Sequence, residues 1–161
     1  SKIMMEDTLT NLVIPRFFTV YGPYGRPDMS ILRFIHWIIE EKEVLVLGDG
    51  EQMRSFTYID DVVEALLLMM DYKESNTFNI GSNTTVSLNE VIKTIEKYSG
   101  KEANIKNEER AYKDPDVVRP NLDNISNELN WKPSTNIEAG IEKTVSWYSE
   151  NKEFLNDIVY I

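Results

Sequence analysis

The segment at residues 16–29 most limits how this chain can fold. The apolar run Leu12-Val13-Ile14 leads into it, Phe17, Phe18, Val20 and Tyr21 continue it, and the composition then changes at once. β-branched and aromatic residues at this density predict a buried strand over residues 12–21. Gly22-Pro23 stops that strand, Gly25 permits a backbone turn, and Arg26-Pro27-Asp28 sets charge beside it. α/β proteins place ligands where a buried strand ends in such a loop, at the carboxyl ends of their strands.

With 161 residues the chain has room for one domain with a real core. It carries 17 Lys+Arg against 27 Asp+Glu, a net charge of −10. That balance excludes a nucleic-acid partner, which needs a basic face, and equally an anionic membrane surface. An anionic small ligand remains compatible where arginines are concentrated locally. There is no cysteine, so disulfides and thiolate metal sites are excluded. A single histidine, His36, argues against a His-based metal site or a Ser-His triad. The longest apolar run, residues 65–70, is far short of the roughly 18 residues a membrane helix needs. The first residues lack the basic and apolar regions of a signal peptide. The expected setting is a reducing compartment, the cytoplasm.

Short strands alternate with helices along the rest of the chain. Residues 2–9 are helix-compatible, with Thr10-Asn11 as the stop. In residues 29–40, Leu32, Ile35, Ile38 and Ile39 make one apolar stripe, with Ser30 as the cap and Arg33 and Glu40 facing water. Residues 44–47 form a strand closed by Gly48-Asp49-Gly50. Phe56, Tyr58 and Ile59 are extended, and Asp60 or Asp61 caps a helix reaching about Met70. Residues 77–80 form a strand stopped by Gly81. Ser87 and Glu90 have capping-box spacing, and the helix they open carries Val91, Ile92, Ile95 and Tyr98 to Gly100. A short strand at residues 104–106 precedes a polar loop over residues 108–116. Asp123 caps a short helix through Leu129, and Thr135 or Asn136 starts a last one with Ile137, Ile141, Val145 and Tyr148 buried. No glycine-rich phosphate loop opens a helix from a first strand, so a complete dinucleotide-binding half is not present.

The chemistry-bearing residues are arginines at turns: Arg26 after Gly25, Arg54 after Gly48-Asp49-Gly50, Arg110 within the polar loop and Arg119 after it. Arginine suits phosphate because its planar fork donates two parallel hydrogen bonds and stays charged. The plainer alternative pairs these arginines with Asp28, Asp60 or Asp116. His36 reads as a packed or surface histidine, Trp131, Trp147 and Tyr148 as core, and Asp60-Asp61 as helix capping rather than metal ligands. Composition and periodicity stop at a small-molecule site in an α/β domain.

Four motifs taken together are more specific: residues 16–23 (Arg-Phe-Phe-Thr-Val-Tyr-Gly-Pro), residues 48–65 from Gly48-Asp49-Gly50 through Asp60-Asp61-Val62-Val63-Glu64-Ala65, Phe78-Asn79-Ile80-Gly81, and Trp131-Lys132-Pro133. In order and spacing they resemble the NAD-dependent epimerase/dehydratase family, the extended short-chain dehydrogenases that act on nucleotide sugars. Thr19 and Gly25-Arg26-Pro27-Asp28-Met29 are most similar to its UDP-glucuronate 4-epimerase branch.

The resemblance implies an α/β fold made of the last part of a Rossmann-type NAD-binding fold, residues 1–28, plus a smaller mixed α/β substrate-binding lobe, residues 29–161. It implies NAD as cofactor, a UDP-sugar as ligand, and a homodimer for the full-length enzyme. Thr19 corresponds to the residue facing the sugar nucleotide, Arg54 to a diphosphate-binding arginine, and Arg119 to a second diphosphate or ribose contact. Arg26 corresponds to a branch-specific arginine at the substrate, and Val46 lies in the segment set against the base. Ser1-Lys2 and Glu6 match the end of the family's Tyr-x-x-Ser-Lys motif, so Lys2 corresponds to its catalytic lysine. The interval from Lys2 to Arg16 is shorter than the family's helix and turn. The motif's tyrosine would precede Ser1. The implied reading is the substrate side of a C4 epimerase, inactive without the NAD loop and that tyrosine. The alternatives are a dehydratase or decarboxylase of the same family, or a non-catalytic nucleotide-sugar-binding module.

Overall fold

A computed structural model describes residues 12–109 and 115–155, with only the backbone of Phe154. Lys2, the helix expected at residues 2–9, and Arg110 lie outside the described residues. The elements in order are β1 (Val13–Phe17), β2 (Thr19–Tyr21), α1 (Ser30–Ile39), β3 (Glu43–Leu47), β4 (Met53–Arg54), β5 (Phe56–Tyr58), α2 (Ile59–Met70), β6 (Asn76–Ile80), β7 (Val86–Ser87), α3 (Leu88–Ser99), β8 (Asn104–Glu108), β9 (Val117–Val118), α4 (Asp123–Leu129), α5 (Ile137–Glu150) and α6 (Lys152–Leu155).

The expected single strand over residues 12–21 is two strands. It breaks at Phe18, whose N–H donates to Ile80 O at 2.9 Å. β1 runs parallel to β6, from Val13 opposite Asn76 to Phe17 opposite Ile80. β2 runs parallel to β5, with Thr19 opposite Phe56 and Tyr21 opposite Tyr58. The chain therefore changes sheets within one residue. β1 is also less buried than its composition suggests: Arg16 and Phe17 are exposed, and residues 13–15 are half-covered. Among the described residues β1 is paired on one side only, and a continuous apolar run is buried only with neighbours and layers on both sides.

Residues 53–58 form the joint of the molecule. β4 pairs antiparallel with β7 and parallel with β9, and β5 continues from it into the pair with β2. Ser55 sits between them, buried, donating to Ser82 O at 2.8 Å and accepting from Ser82 N at 3.0 Å. A separate parallel pair, β3 with β8, closes the lobe side.

Two apolar clusters follow. One gathers Ile31, Phe34, Ile35 and Ile38 of α1, Val44 and Val46 of β3, Val91, Ile92 and Ile95 of α3, and Ile141, Val145 and Tyr148 of α5. The other gathers Val62, Ala65 and Met69 of α2 with Phe78, Ile80, Ile125 and Trp131. They interleave along the chain rather than dividing at one residue.

Local signals set the helix ends unevenly. The Ser87–Glu90 capping box is present, with Glu90 N donating to Ser87 Oγ at 3.1 Å and Ser87 N to Glu90 Oε2 at 2.7 Å. α3 ends at Gly100 in the left-handed region, and Asn136 caps α5 by accepting from Ala139 N at 2.8 Å. The other expected caps are corrected. Ser30 lies inside α1, whose cap residue Met29 offers no side-chain bond. Asp123 does not cap α4; its N–H donates to Asn121 Oδ1. Neither Asp60 nor Asp61 caps α2. Asp61 is buried and turned the other way, accepting from the N–H and hydroxyl of both Ser134 and Thr135 at 2.9–3.2 Å. Those donors neutralise a carboxylate that burial alone would make costly, and they tie the start of α2 to the approach of α5.

Candidate functional site

The joint at residues 53–58 sets the start of β2 near the end of β9, with Thr19 opposite Phe56 and Val118 opposite Arg54. Thr19 opens β2. Arg54 lies opposite Val118 of β9, so Arg119 follows directly on its neighbouring strand. Beyond Tyr21 the chain turns at Gly22-Pro23-Tyr24-Gly25, closed by Gly25 N donating to Gly22 O at 3.3 Å. Gly22 is required there, since its φ is +144° and an added Cβ would lie 2.6 Å from Ile59 Cγ2. An open cleft of about 750 Å³ results, lined by Phe17, Phe18, Thr19, Tyr24, Arg26 and Val118 among others. A second, of about 470 Å³, is bordered by Asn83, Arg119, Asn121, Asp123, Ser126 and Lys132.

Thr19 and Arg26 thus share one cleft, with β9 at its rim. Arg26 is 76 % exposed and forms a two-pronged pair with Asp28, Nε to Oδ1 at 3.0 Å and Nη2 to Oδ2 at 2.5 Å. The hydrogen bonds from Arg26 hold the Asp28 carboxyl below its ordinary range. The anticipated Arg26–Asp28 partnership is therefore present. A salt bridge this exposed adds little to stability, so Arg26 is exchangeable toward an anion.

Arg54 is held differently. Its Nη1 lies 2.8 Å from Met53 O and 2.9 Å from Pro115 O, so it grips the backbone of the segment leading into β9. It takes no carboxylate from Asp116, only that residue's carbonyl at 3.5 Å. Arg119 is exposed and has no hydrogen bond or ion pair among the described residues. Lys132 shares its cleft and is equally unpaired there. Lys132 lies inside the Trp131-Lys132-Pro133 motif, yet nothing local marks that lysine, because the cleft forms only when α4 and the Pro120 segment come together.

Val46 stands apart. Its side chain is fully buried in the lobe core, opposite Asn107 of β8, and lines no cleft among the described residues. Leu45 is half-buried against the same core, and Leu47 is the exposed apolar residue of this strand. His36 sits between helices: its Nδ1 and the Tyr148 hydroxyl are 2.7 Å apart, and Lys42 Nζ lies 2.9 Å from Nε2. An ammonium can only donate, so Nε2 accepts, the ring is neutral, and Nδ1–H donates to Tyr148. Burial, then the Lys42 charge, keeps the His36 pKa below its usual value. Among the described residues no group of His, Cys, Asp and Glu is placed to hold a metal ion. No helix there is long and apolar enough to cross a membrane.

A family model, NAD dependent epimerase/dehydratase family, matches residues 2–81. A UDP-glucuronate 4-epimerase of Thermodesulfobacterium geofontis is 39% identical over 149 residues, 92% of this chain and 46% of that protein. The chain belongs to the NAD-dependent epimerase/dehydratase family. Among solved structures, MoeE5 in complex with UDP-glucose and NAD superposes with a TM-score of 0.84 at 30% identity, covering 88% of this chain and 48% of that one. The UDP-glucuronic acid 4-epimerase of Bacillus cereus, in complex with UDP-glucuronic acid and NAD, gives 0.80 at 32% identity, covering 86% and 45%. The fold is thus mixed α/β with parallel strand pairs, like that of Rossmann-type epimerases. The chain spans about half the length of the curated relatives it matches.

Proposed function

We propose that this chain is the substrate-binding part of an NAD-dependent enzyme that inverts C4 of a UDP-sugar through transient oxidation to a ketone. The observation that supports this reading is that Thr19 and Arg26 line one cleft together with Val118 of β9, while Arg54 lies opposite Val118 and Arg119 follows it at a second cleft, in a chain whose net charge is −10. Arg54 and Arg119 hold the diphosphate, where a planar fork and a permanent charge serve best. Thr19 offers its hydroxyl to the sugar. Arg26 exchanges Asp28 for the acidic group of the sugar, which favours UDP-glucuronate.

In this reading the described residues bind and orient the sugar nucleotide. NAD, when bound, supplies a reversible hydride acceptor. Lys2 is this chain's residue toward the cofactor ribose and toward lowering the pKa of an acid/base tyrosine. C4 inversion needs the ketone to turn over in the site, so affinity belongs in the diphosphate contacts rather than in hydrogen bonds to the sugar ring.

Titration calorimetry with UDP and UDP-glucuronate tests this reading. Both are expected to bind, and Arg54→Ala is expected to weaken both by more than about 1 kcal/mol, about fivefold or more, through loss of a charged hydrogen bond. Absence of binding in a cooperatively folded sample overturns the reading. An unchanged dissociation constant removes Arg54 from the site.

A further inference from the structure

Three described residues other than glycine have a positive φ: Tyr24 at +56°, Glu41 at +55° and Asn130 at +50°. Glu41 and Asn130 close α1 and α4, where a left-handed residue satisfies helix-end carbonyls. Tyr24 closes no helix. It is the third residue of the Gly22–Gly25 turn, after a proline whose ring fixes φ near −65°. A negative φ followed by a positive one defines a type II turn, whose third position is a glycine position. This chain puts a bulky aromatic there, against the steric preference of an L-residue.

The strain is not repaid by burial. Tyr24 is 77 % exposed, the most exposed of the large hydrophobic residues described. One side of its ring meets Trp147 of α5, with centroids 5.0 Å apart and planes at 56°. The rest borders the cleft shared by Thr19 and Arg26. The turn beneath it is tight: a Cβ on Gly22 would lie 2.6 Å from Ile59 Cγ2, and one on Gly25 3.1 Å from Gly22 O. An off-preference backbone in tight surroundings, presenting a largely exposed side chain to a cleft, is how strain is stored at working sites.

We infer that Tyr24 is a substrate-positioning residue, an aromatic wall braced by Trp147 against which the sugar ring of the nucleotide sugar rests. This inference rests on the proposed UDP-sugar reading and deepens it. The C–H face of a pyranose is apolar and packs on an aromatic ring. Such a contact is non-directional, so it steadies the sugar without opposing rotation of the ketone, unlike a hydrogen bond at a fixed atom. It also accounts for a tyrosine at a glycine position, since a glycine there would relax the turn and leave the cleft without its wall.

The test compares wild type, Tyr24→Gly and Tyr24→Phe in the whole chain, by thermal melting and by titration with UDP and with UDP-glucuronate. Tyr24→Gly is expected to raise Tm by about 2–4 °C, because glycine suits the positive φ. Its dissociation constant for UDP-glucuronate is expected to rise about three- to tenfold while that for UDP stays within about twofold. Tyr24→Phe is expected to match wild type in both. Equal weakening toward both ligands, or a wild-type ratio of the two constants in Tyr24→Gly, overturns the inference alone. A folded wild type that binds neither ligand overturns the UDP-sugar reading, and this inference with it.

Discussion

Around α1, α3 and α5, Ile35, Ile95 and Ile141 are wholly shielded from solvent, while along β1 Phe17 is 51 % exposed and Arg16 faces water. Both regions carry Ile, Val and Phe, so the presence of apolar side chains does not separate them. Closure does. A helix satisfies its own backbone and needs only its stripe covered, and three helices cover one another. A strand needs a neighbour along each edge, and among the described residues β1 has β6 alone. The two clefts lie on the open side, one at the start of β2 beside Val118 and one beside Arg119, and the Arg26 side chain there is held only by an exposed pair with Asp28. The closed side supplies the rigid body against which they are held.

The largest effect should come from emptying the closed side. Ile35→Ala removes a fully buried side chain between α1 and its neighbours and is expected to cost about 3–4 kcal/mol in urea unfolding, against about 1 kcal/mol for Ile14→Ala in half-covered β1. Equal losses at the two positions would erase the distinction between the regions. Next comes the clasp that joins them. Asp61→Asn turns an amide nitrogen toward the N–H and hydroxyl donors of Ser134 and Thr135, and a loss of about 2–3 kcal/mol is expected by the same measurement. A loss no greater than that of an exposed acidic residue would show that the clasp carries no strain between them.

A smaller effect belongs to His36, between α1 and α5. The fold keeps its ring neutral, whereas the unfolded chain takes up a proton near pH 6.5. Stability should therefore fall as pH drops through about 6.5 and level off below the folded-state pKa. The half-exposed ring limits this contribution to less than about 1 kcal/mol. His36→Gln is expected to flatten that part of the pH profile, and an identical slope in the variant would assign it to the carboxylates. Least of all, Asp28→Asn on the open side should leave Tm within about 1 °C, because an exposed pair adds little. A marked drop would make the Arg26–Asp28 pair part of the scaffold rather than an exchangeable latch.

The closed side was also the more legible one. The stripe Leu32, Ile35, Ile38 is read directly from spacing, and all three are buried. The Ser87–Glu90 box and Gly100 bound α3 as their local chemistry requires. The open side was legible in kind but not in arrangement. That a turn at Gly22-Pro23 ends the apolar run follows from residues 16–29 alone. That the strand divides at Phe18 does not, because its two halves are chosen by β6 and β5, whose strands lie tens of residues downstream. Asp61 reads as a cap because its neighbours make a helix start, and its actual partners at Ser134 and Thr135 lie across the molecule. Val46 reads as a site residue from the segment it belongs to, and alternation along β3 turns its side chain inward.

By itself, then, the sequence determined the family motifs, the helix stripes, two of the helix caps and the turn at Gly22-Pro23, because each is settled by energies acting within a few residues. Tertiary structure alone decided that Arg26 is latched to Asp28, that Arg54 grips backbone and that Arg119 has no partner among the described residues. It also decided that Tyr24, unremarkable in composition, stands with a positive φ at the edge of the cleft. Those outcomes depend on pairings between distant segments, whose closure costs chain entropy and is repaid only when the whole set forms together.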